Sequence, residues 1–585
     1  MFHFVHTYIP QTNFWDGLIK RGLINDASGV KMIQCDTIAP EHRFNVLASP
    51  GGRLHEIIQE ANRPFFVDRL QGGTFLYPYQ YDTNLIEYYD LLLGERFLGF
   101  QMHEWASNLL SDYHKIVGDF HSYESFDAST AAARRMEWTV SNIEQAVLSA
   151  FPDQDGRIYL EALTAEEWTA APLLTDSGTM IAVLRELFRK RQASVDGHLL
   201  AADSCFMCSR LEYENGLRHS MPEIGAQAPF VRVQLALVRG MSKSRGIPFG
   251  AYQEPWGGTP FSCCYYKKDP PAQLVNEWNV TERENSAYGP AGENGGSSMS
   301  LLRRIFYYAF LAGAQFLAEE WGACNTFYDW NDFELTPYGQ IKKELIDFAQ
   351  KYPEPGDPYT PFAFVLPAEM KIVNLNQIAK GSNFYRFYEE FPLMEDQRIE
   401  QHVYDVLRMV YQRVDSRPEG HYDARAITNS EFGDLFDLVY EDDPGLFHRY
   451  AYLIDLTGGD AFLSRNREHS SRILPSDDLG RLHRELKERI QTLPPIQVEG
   501  SPFWMLNKSS SRWIATFFNN EGVERTVATG EYTLPEAAIR VTATLPSSHT
   551  QIHVLVGDPA SLKRDGRSLT FVLAPGDILI FSFLN

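Results

Sequence analysis

The sequence is poor in features that would assign it to a functional class at once. Only six of its 585 residues are cysteine, which argues against a disulfide-stapled fold and suits a reducing compartment. Lys and Arg number 53 against 76 Asp and Glu, giving a formal net charge of −23. No basic stripe offsets that charge, so nucleic acids and anionic membrane surfaces are not expected as partners.

Long hydrophobic runs and a leader-like start are also missing. No apolar run reaches the roughly 18 residues of a membrane-spanning helix. The start, "MFHFVHTYIPQTNFWDG", has no basic segment followed by a clean apolar core, so we predict no signal peptide. The sequence therefore predicts a cytoplasmic protein whose substrate is a neutral or cationic small molecule.

Metal-binding motifs are equally scarce. Cys205 and Cys208 form a C-x-x-C, but no second pair of Cys or His follows at the spacing of a zinc site. We predict reduced cysteines at strand ends and in loops, with no metal and no cofactor.

What the sequence does contain, up to about residue 350, is a repeated strand-then-helix rhythm. Eight apolar segments alternate with amphipathic ones, and this pattern predicts parallel strands buried on both faces. Eight such units fit a (β/α)8 TIM barrel. A doubly wound open sheet is the alternative, but "HTYIPQTNF" after the first strand lacks its glycine-rich turn. The predicted strands are "FHFVHTYI", "VKMIQCD", "PFFVDRL", "FLGFQMHEW", "GRIYLEAL", "GHLLAADSC", "IPFGAYQEPW" and "AQFLAEEWG".

Two further domains are expected after this barrel, which spans residues 1–352. Four prolines in residues 351–361 predict a stiff connector. Residues 362–492 mix strands and helices, which predicts a small α/β (Rossmann-like) domain. Its "TGGD" after a strand is a weak phosphate-loop signal, and a plain turn is the preferred interpretation. Residues 495–585 alternate apolar and polar positions, as expected for an antiparallel β-sandwich.

Acidic residues stand at the predicted carboxyl ends of the strands, which line the active site in a barrel of this kind. A buried carboxylate without a partner is costly, so these acids are not ordinary core residues. We predict a polar cup with an aromatic rim at the barrel mouth. The residues predicted there are His6, Asp36, Arg69, His103, Glu104, Trp105, Glu161, Asp203, Tyr252, Glu254, Trp256, Glu320 and Trp321.

Such a cup suits a sugar, because carboxylate, Arg and His groups bind hydroxyls while aromatic rings cover C–H faces. Glycoside hydrolysis needs two carboxyl groups across the anomeric carbon, about 5–5.5 Å apart in a retaining enzyme. Glu104 ends predicted strand four and Glu254 ends predicted strand seven. If these strands face each other across the barrel, the two carboxyl groups meet at that distance.

The motifs "QMHEW", "AYQEPWGG" and "AEEWG" resemble the large clan of retaining (β/α)8 glycoside hydrolases. The order of barrel, proline-rich link, small α/β domain and β-domain narrows the resemblance to family 42 β-galactosidases and family 164 β-mannosidases. The resemblance implies that Glu104 is the acid/base and Glu254 the nucleophile of an exo-β-glycosidase. It also implies a homotrimer built through the middle domain.

One departure concerns the residue before the acid/base, where that clan usually has Asn to bind the sugar 2-OH. This chain has His103, which argues against an ordinary β-galactosidase and permits an axial 2-OH, as in mannose, or an unusual sugar.

Several alternatives stay open from the sequence. An inverting hydrolase would place its carboxyl groups roughly 6.5–9.5 Å apart. A carbohydrate-binding protein without activity, and a metal-dependent hydrolase, fit the same barrel. The sequence does not separate Glu319 from Glu320 as the one that faces the pocket. Three further acids are predicted in a solvated loop after strand six: Glu212, Glu214 and Glu223.

Overall fold

The fold is described from a computed structural model of the chain. It describes residues 2–34, 40–68, 80–103, 181, 185, 188–189, 191–203, 206–225, 230–254, 297–320, 322–375, 394–411, 426–526 and 530–584.

A closed barrel of eight parallel strands forms the first part of the chain, which confirms the predicted TIM barrel. Each strand pairs in parallel with the next, and the eighth pairs with the first. The strands are β1 (His3–Tyr8), β2 (Gly29–Ile33), β3 (Phe65–Asp68), β4 (Phe97–His103), β5 (Leu199–Asp203), β6 (His219–Gly225), β7 (Gly250–Glu254) and β8 (Phe316–Glu319).

Two of the predicted strands need correction. The barrel pairs β4 directly with β5, in the register Phe100↔Leu199 to His103↔Ala202, so "GRIYLEAL" is not its fifth strand. The true sixth strand is β6, "HSMPEIG", which the sequence prediction assigned to a loop. The sequence pattern did not indicate this strand, because Pro222 lies within its apolar run and proline argues against a central strand. The two errors cancel, so β7 is still the seventh strand.

Helices with one apolar face cover the outside of the barrel. In α3, Leu54, Ile57 and Ile58 fall on one side at helical spacing and are buried, while the first turn carries Glu56. Ser298 and Thr336 each cap the helix that follows by accepting a backbone N–H. The barrel helices are α1 (Phe14–Lys20), α2 (Phe44–Leu47), α3 (Arg53–Glu60), α4 (Thr83–Leu93), α5 (Ser209–Glu214), α6 (Val231–Arg245), α7 (Met299–Leu311) and α8 (Pro337–Lys351).

The barrel interior is apolar at its amino end and polar at its carboxyl end. Val5, Phe66, Leu98, Leu200 and Phe316 belong to one buried cluster inside the ring of strands. Because side chains alternate along a strand, the same alternation sends later residues of these strands into the carboxyl-end half of the interior.

A β-bulge at Gly99 decides which residues of β4 face inward. The register with β3 shifts by one residue between Phe65 and Phe66, at the point where Gly99 has φ +112°. Leu98 therefore points inward, but Phe100 packs outward against Phe44. The shift turns His103 toward the barrel axis, since a one-residue slip moves every later side chain to the other face. A Cβ at residue 99 would overlap the carbonyl of His198.

A separate parallel sheet lies after the barrel. Its strands are β9 (Phe362–Leu366), β10 (Phe436–Tyr440), β11 (Tyr452–Asp455) and β12 (Ile473–Pro475), in the spatial order β10-β9-β11-β12. Helices α9 (Gln397–Tyr411), α10 (Asp460–Arg465) and α11 (Leu479–Ile490) accompany it.

Barrel helix α6 packs closely on this sheet. Gly240 lies so near β10 that a Cβ would overlap the Leu438 carbonyl. We call the charged groups at this contact, which are buried except for the partly buried Lys243, the α6 ion-pair network. Its members are Arg232, Arg239, Lys243, Asp434 and Asp437.

The last part of the chain is antiparallel. One sheet is formed, in spatial order, by Asp357–Pro358, Phe503–Lys508, Arg512–Phe518, Ile578–Leu584 and Ile552–Val556. A second is formed by Gln497–Glu499, Ile539–Thr544, Ser568–Leu573 and Lys563–Asp565, and Val523–Thr526 pairs with Gly530–Thr533. Asp357–Pro358, from the proline-rich connector, pairs with Phe503–Lys508 and so belongs to the first sheet. The three domain boundaries stay predictions.

Among the helices that the structure describes, none combines the length and the hydropathy needed to cross a bilayer.

Candidate active site

Four ionisable side chains lie at the carboxyl ends of barrel strands. His103 ends β4, Glu223 lies near the end of β6, Glu254 ends β7 and Glu320 follows β8. Their exposures are 5%, 0%, 3% and 4% in the same order. Buried charge at this end of a parallel barrel indicates a functional site, because that is where such barrels build their catalytic machinery.

Three of these groups form what we call the His–Glu cluster, consisting of His103, Glu223 and Glu320. The Nε2 atom of His103 lies 3.4 Å from Oε1 of Glu320 and 3.8 Å from Oε1 of Glu223. One donor atom from each residue lies within 4.8 Å of the other two. Two carboxylates directed at one imidazole nitrogen can share a proton with it or hold a cation with it.

Glu254 lies beside this cluster on β7. Tyr252 points into the barrel, so strand alternation directs Glu254 inward as well. Its backbone pairs with Gly225 at the end of β6, and a Cβ on Gly225 would stand 2.8 Å from the Cβ of Glu254. The missing side chain at residue 225 therefore makes room for the Glu254 carboxylate.

The ring order corrects one geometric expectation. Two strands, β5 and β6, separate β4 from β7 along the ring, so these strands do not face each other directly. Residues at their ends still open into one mouth, because all eight strands run parallel.

A buried triad supports the mouth from below. The Nζ atom of Lys31 contacts Asp68 Oδ2 and lies 3.3 Å from the Tyr252 hydroxyl, which donates to Asp68 Oδ2 at 2.9 Å. All three side chains are fully buried. The Tyr252 ring packs edge-on against His103, with ring centroids 5.5 Å apart. Tyr252 donates its hydroxyl to Asp68 within the barrel and packs against His103, and its predicted contact with substrate stays a prediction.

The two acids at the end of β8 have different surroundings. Glu319 pairs with Lys342 of α8 at 2.7 Å, and Lys342 also donates to the carbonyl of Gly322. Burial raises the pKa of Glu319, and the lysine opposes that rise. Glu320 reaches the His–Glu cluster. The pair that the sequence left undecided is thus divided between a structural acid and an acid of the mouth.

His6 is a correction to the predicted mouth. Val5 faces inward, so His6 lies on the outer face of β1, where its ring meets Trp15 edge-on. Its Nε2 is 3.0 Å from the carbonyl of Leu23. Burial, followed by the charge of Lys342, lowers the pKa of His6 to about 3, which keeps the ring neutral. His6 is a structural histidine.

Asp203 also departs from its predicted role at the mouth. It shares the outer face of β5 with Leu199 and Ala201, which belong to the core outside the barrel. The thiol of Cys208 donates to the Phe206 carbonyl at 3.5 Å, and burial followed by the charge of Asp203 raises the pKa of the thiol. Asp203 thus lies near a buried free cysteine.

Seven of the predicted site residues lie outside the residues that the structure describes. They are Asp36, Arg69, Glu104, Trp105, Glu161, Trp256 and Trp321. The prediction for Glu161 also loses its basis, because the fifth barrel strand is Leu199–Asp203 and not the segment that contains Glu161.

The sequence analysis missed Glu223 as a mouth residue. Glu223, predicted in a solvated loop, is fully buried in β6, and Glu212 and Glu214 belong to helix α5. The alternation of Met221, Glu223 and Gly225 was the available signal, but Pro222 between them favoured a loop.

No protein-family model matches the chain, and no curated protein matches it. Solved structures match it over nearly its whole length. One is a β-galactosidase from Halorubrum lacusprofundi, with 11% identity, a TM-score of 0.40, and coverage of 99% of this chain and 98% of the other.

A GH42 β-galactosidase, Gan42B from G. stearothermophilus, matches with 10% identity, a TM-score of 0.46, and coverage of 100% and 98%. An α-L-fucosidase, isoenzyme 2 from Paenibacillus thiaminolyticus, matches with 9% identity, a TM-score of 0.43, and coverage of 100% and 99%. GH42 is the family that the sequence resemblance named. At these values the fold assignment rests on the strand pairing itself.

Proposed function

We propose that the protein is a retaining exo-β-glycosidase that releases a terminal β-linked sugar of the β-mannoside or β-galactoside type. The observation that carries the proposal is the position of Glu254: a buried carboxylate that ends the seventh strand of a closed barrel and points to its axis. Glu104, the proposed partner, directly follows His103, the last residue of the fourth strand.

The proposed reaction has two displacements. Glu254 attacks the anomeric carbon while Glu104 gives a proton to the departing glycosidic oxygen, and a glycosyl ester forms on Glu254. Glu104 then takes a proton from water, which attacks the anomeric carbon and releases the sugar and a free Glu254 carboxylate. Each displacement inverts the configuration at the anomeric carbon, so the product has the same β configuration as the substrate.

The His–Glu cluster is the proposed recognition site for sugar hydroxyls. His103 occupies the position before the proposed acid/base, and its Nε2 is held by Glu320 at 3.4 Å. An imidazole whose Nε2 lies near two carboxylates offers donors and acceptors to neighbouring hydroxyls. Five further residues stay proposed substrate contacts: Asp36, Arg69, Trp105, Trp256 and Trp321. A homotrimeric assembly also stays a proposal.

The first test is turnover on nitrophenyl β-mannoside, β-galactoside, β-glucoside and β-glucuronide, with the anomer of the product followed by NMR. We expect release of the β-anomer from the mannoside or the galactoside. Release of the α-anomer would show an inverting hydrolase, and no turnover on a wider aryl-glycoside panel would favour a carbohydrate-binding protein.

The second test assigns the two roles with azide. Glu254→Ala with azide should yield an α-glycosyl azide, because the small anion takes the place of the missing nucleophile. Glu104→Ala with azide should yield a β-glycosyl azide, because the anion attacks the glycosyl-enzyme without base assistance. The opposite assignment of products, or no azide product from either variant, contradicts the proposed roles.

A further inference from the structure

We propose that His103, Glu223 and Glu320 form a binding site for one divalent transition-metal cation at the mouth of the barrel. The proposed glycosidase reaction needs no metal, but these residues are also the proposed contacts of sugar hydroxyls, so a bound cation would lie where the sugar is recognised. It replaces the expectation from the sequence, in which cysteine spacing was the only metal signal and no metal was predicted.

The geometry of the His–Glu cluster fits such an ion. A zinc ion binds His nitrogen and carboxylate oxygen at about 2.0–2.2 Å, so two ligands of one tetrahedral ion stand about 3.4 Å apart. The distances from His103 Nε2 to the two carboxylate oxygens are 3.4 and 3.8 Å. All three donor atoms lie within 4.8 Å of one another, so one cation can bind all of them after small side-chain adjustments.

The fold holds the three ligands on a rigid frame. They come from β4, β6 and the end of β8, alternate members of one hydrogen-bonded ring, and all three are buried. Rigid strands fix ligand positions better than loops do. Three protein ligands leave the fourth position of a tetrahedral ion for water or substrate, as in catalytic zinc sites.

Packing against a fixed tyrosine restrains the histidine ring. Tyr252 packs edge-on against the His103 ring, and its hydroxyl is fixed by Asp68 and Lys31. Metal-binding histidines are generally oriented by neighbouring groups, most often through a hydrogen bond to the other ring nitrogen, whereas here the restraint is ring packing.

The donor set selects the kind of cation. An imidazole suits Zn²⁺, Cu²⁺, Fe²⁺ and Ni²⁺, whereas Ca²⁺ prefers six to eight oxygen ligands and Mg²⁺ usually keeps several of its waters. We expect Zn²⁺ or Co²⁺ to bind more tightly than Ca²⁺ or Mg²⁺. The competing arrangement is a protonated His103 that bridges the two carboxylates with no metal.

The test measures metal binding by the full-length chain after dialysis against a chelator. Isothermal titration with Zn²⁺ should give one site per chain, and Co²⁺ should give visible absorption bands that depend on its ligands. His103→Gln and Glu320→Gln should each weaken Zn²⁺ binding at least about tenfold. The matched control is His219→Gln, which removes a buried histidine from the opposite end of the same barrel.

Each outcome decides the proposal. Zn²⁺ binding that is absent in the wild type, or that survives both variants unchanged, overturns it. If the variants do not fold, as judged by circular dichroism, the Co²⁺ spectrum of the wild type decides alone: imidazole and oxygen coordination supports the site, and an aquo-ion spectrum refutes it. Glu254→Gln separates this proposal from the proposed function, because it should abolish turnover and leave Zn²⁺ binding in place.

Discussion

The α6 ion-pair network and the mouth of the barrel both bury charged side chains, but they arrange them differently. In the network, the carboxylate of Asp437 accepts from Arg239 at 2.5 Å, Lys243 at 2.5 Å, Thr360 at 2.9 Å and Tyr450 at 3.0 Å. In the His–Glu cluster, two carboxylates converge on one imidazole nitrogen at 3.4 and 3.8 Å.

The difference shows which buried charges serve the fold. Asp437 is matched by cations and hydroxyls in short bonds, so its charge is satisfied within the protein and joins α6 to β10. A buried ion pair seldom adds net stability, but removing one partner leaves an uncompensated charge. The contacts from His103 to Glu223 and Glu320 are longer, and the two proposals above assign these residues to an additional group, either a substrate or a cation.

The largest expected effect is the loss of turnover when a carboxylate of the mouth is changed. Glu254→Gln should reduce turnover by about 10⁴-fold or more, as for the loss of a nucleophile in other enzymes. Its melting temperature should stay level or rise, because a neutral amide replaces a buried carboxylate. The matched variant is Glu319→Gln, which breaks the pair with Lys342 and should lower stability while retaining turnover. Kinetics and thermal melts of both variants test this distinction between a catalytic and a structural acid. Lost turnover in Glu319→Gln together with lost stability in Glu254→Gln would contradict it.

The next effect concerns the structural side. Asp437→Ala leaves the buried Arg239 and the partly buried Lys243 without their shared partner, so we expect a loss of about 3–5 kcal/mol of stability. Turnover per folded molecule should be unchanged at low temperature, since Asp437 lies on β10 rather than at the mouth. Chemical denaturation measures the loss. The control is Lys343→Ala, which removes an exposed pair with Asp347 and should cost about 0.5 kcal/mol or less.

A smaller effect links the two regions through the backbone. Gly99→Ala should cost about 1–3 kcal/mol, because a residue with φ +112° becomes strained and its Cβ meets the His198 carbonyl. It should also lower turnover by moving His103. Gly197→Ala has positive φ with open space around it, so it should cost less and leave turnover alone. Equal losses for the two variants would show that the bulge does not set the site.

The smallest expected effect is a pH dependence of the network. Burial raises the pKa of Asp437, but Lys243 and Arg239 outweigh it and the net shift is downward. The unfolded chain, with an Asp pKa of about 3.9, then binds more protons than the folded protein at low pH. The stabilisation is therefore present above about pH 4 and is lost as the pH falls through the folded pKa. Asp437→Asn should flatten the decline of melting temperature below about pH 4, and a slope like that of the wild type would contradict this.

Much of this arrangement follows from local sequence pattern. The alternation of apolar strands with amphipathic helices was enough to predict the barrel, and it placed Glu254 at the end of the seventh strand. The pattern failed where local and tertiary preferences disagree. Pro222 argued against a strand where β6 lies. "GRIYLEAL" has the composition of a strand, but it is not one of the eight strands of the closed barrel. Neither error is visible without knowing which segments pair.

The sequence by itself determined that eight strands would run parallel and that acidic residues would follow several of them, because periodicity and composition are local properties. Only the tertiary structure decided which of those residues face the axis. It turned His103 inward through the bulge at Gly99, directed His6 outward, and divided Glu319 from Glu320. The physical reason is that side chains alternate with a period of two, so the face that a residue occupies depends on register with neighbouring strands, which no short stretch of sequence contains.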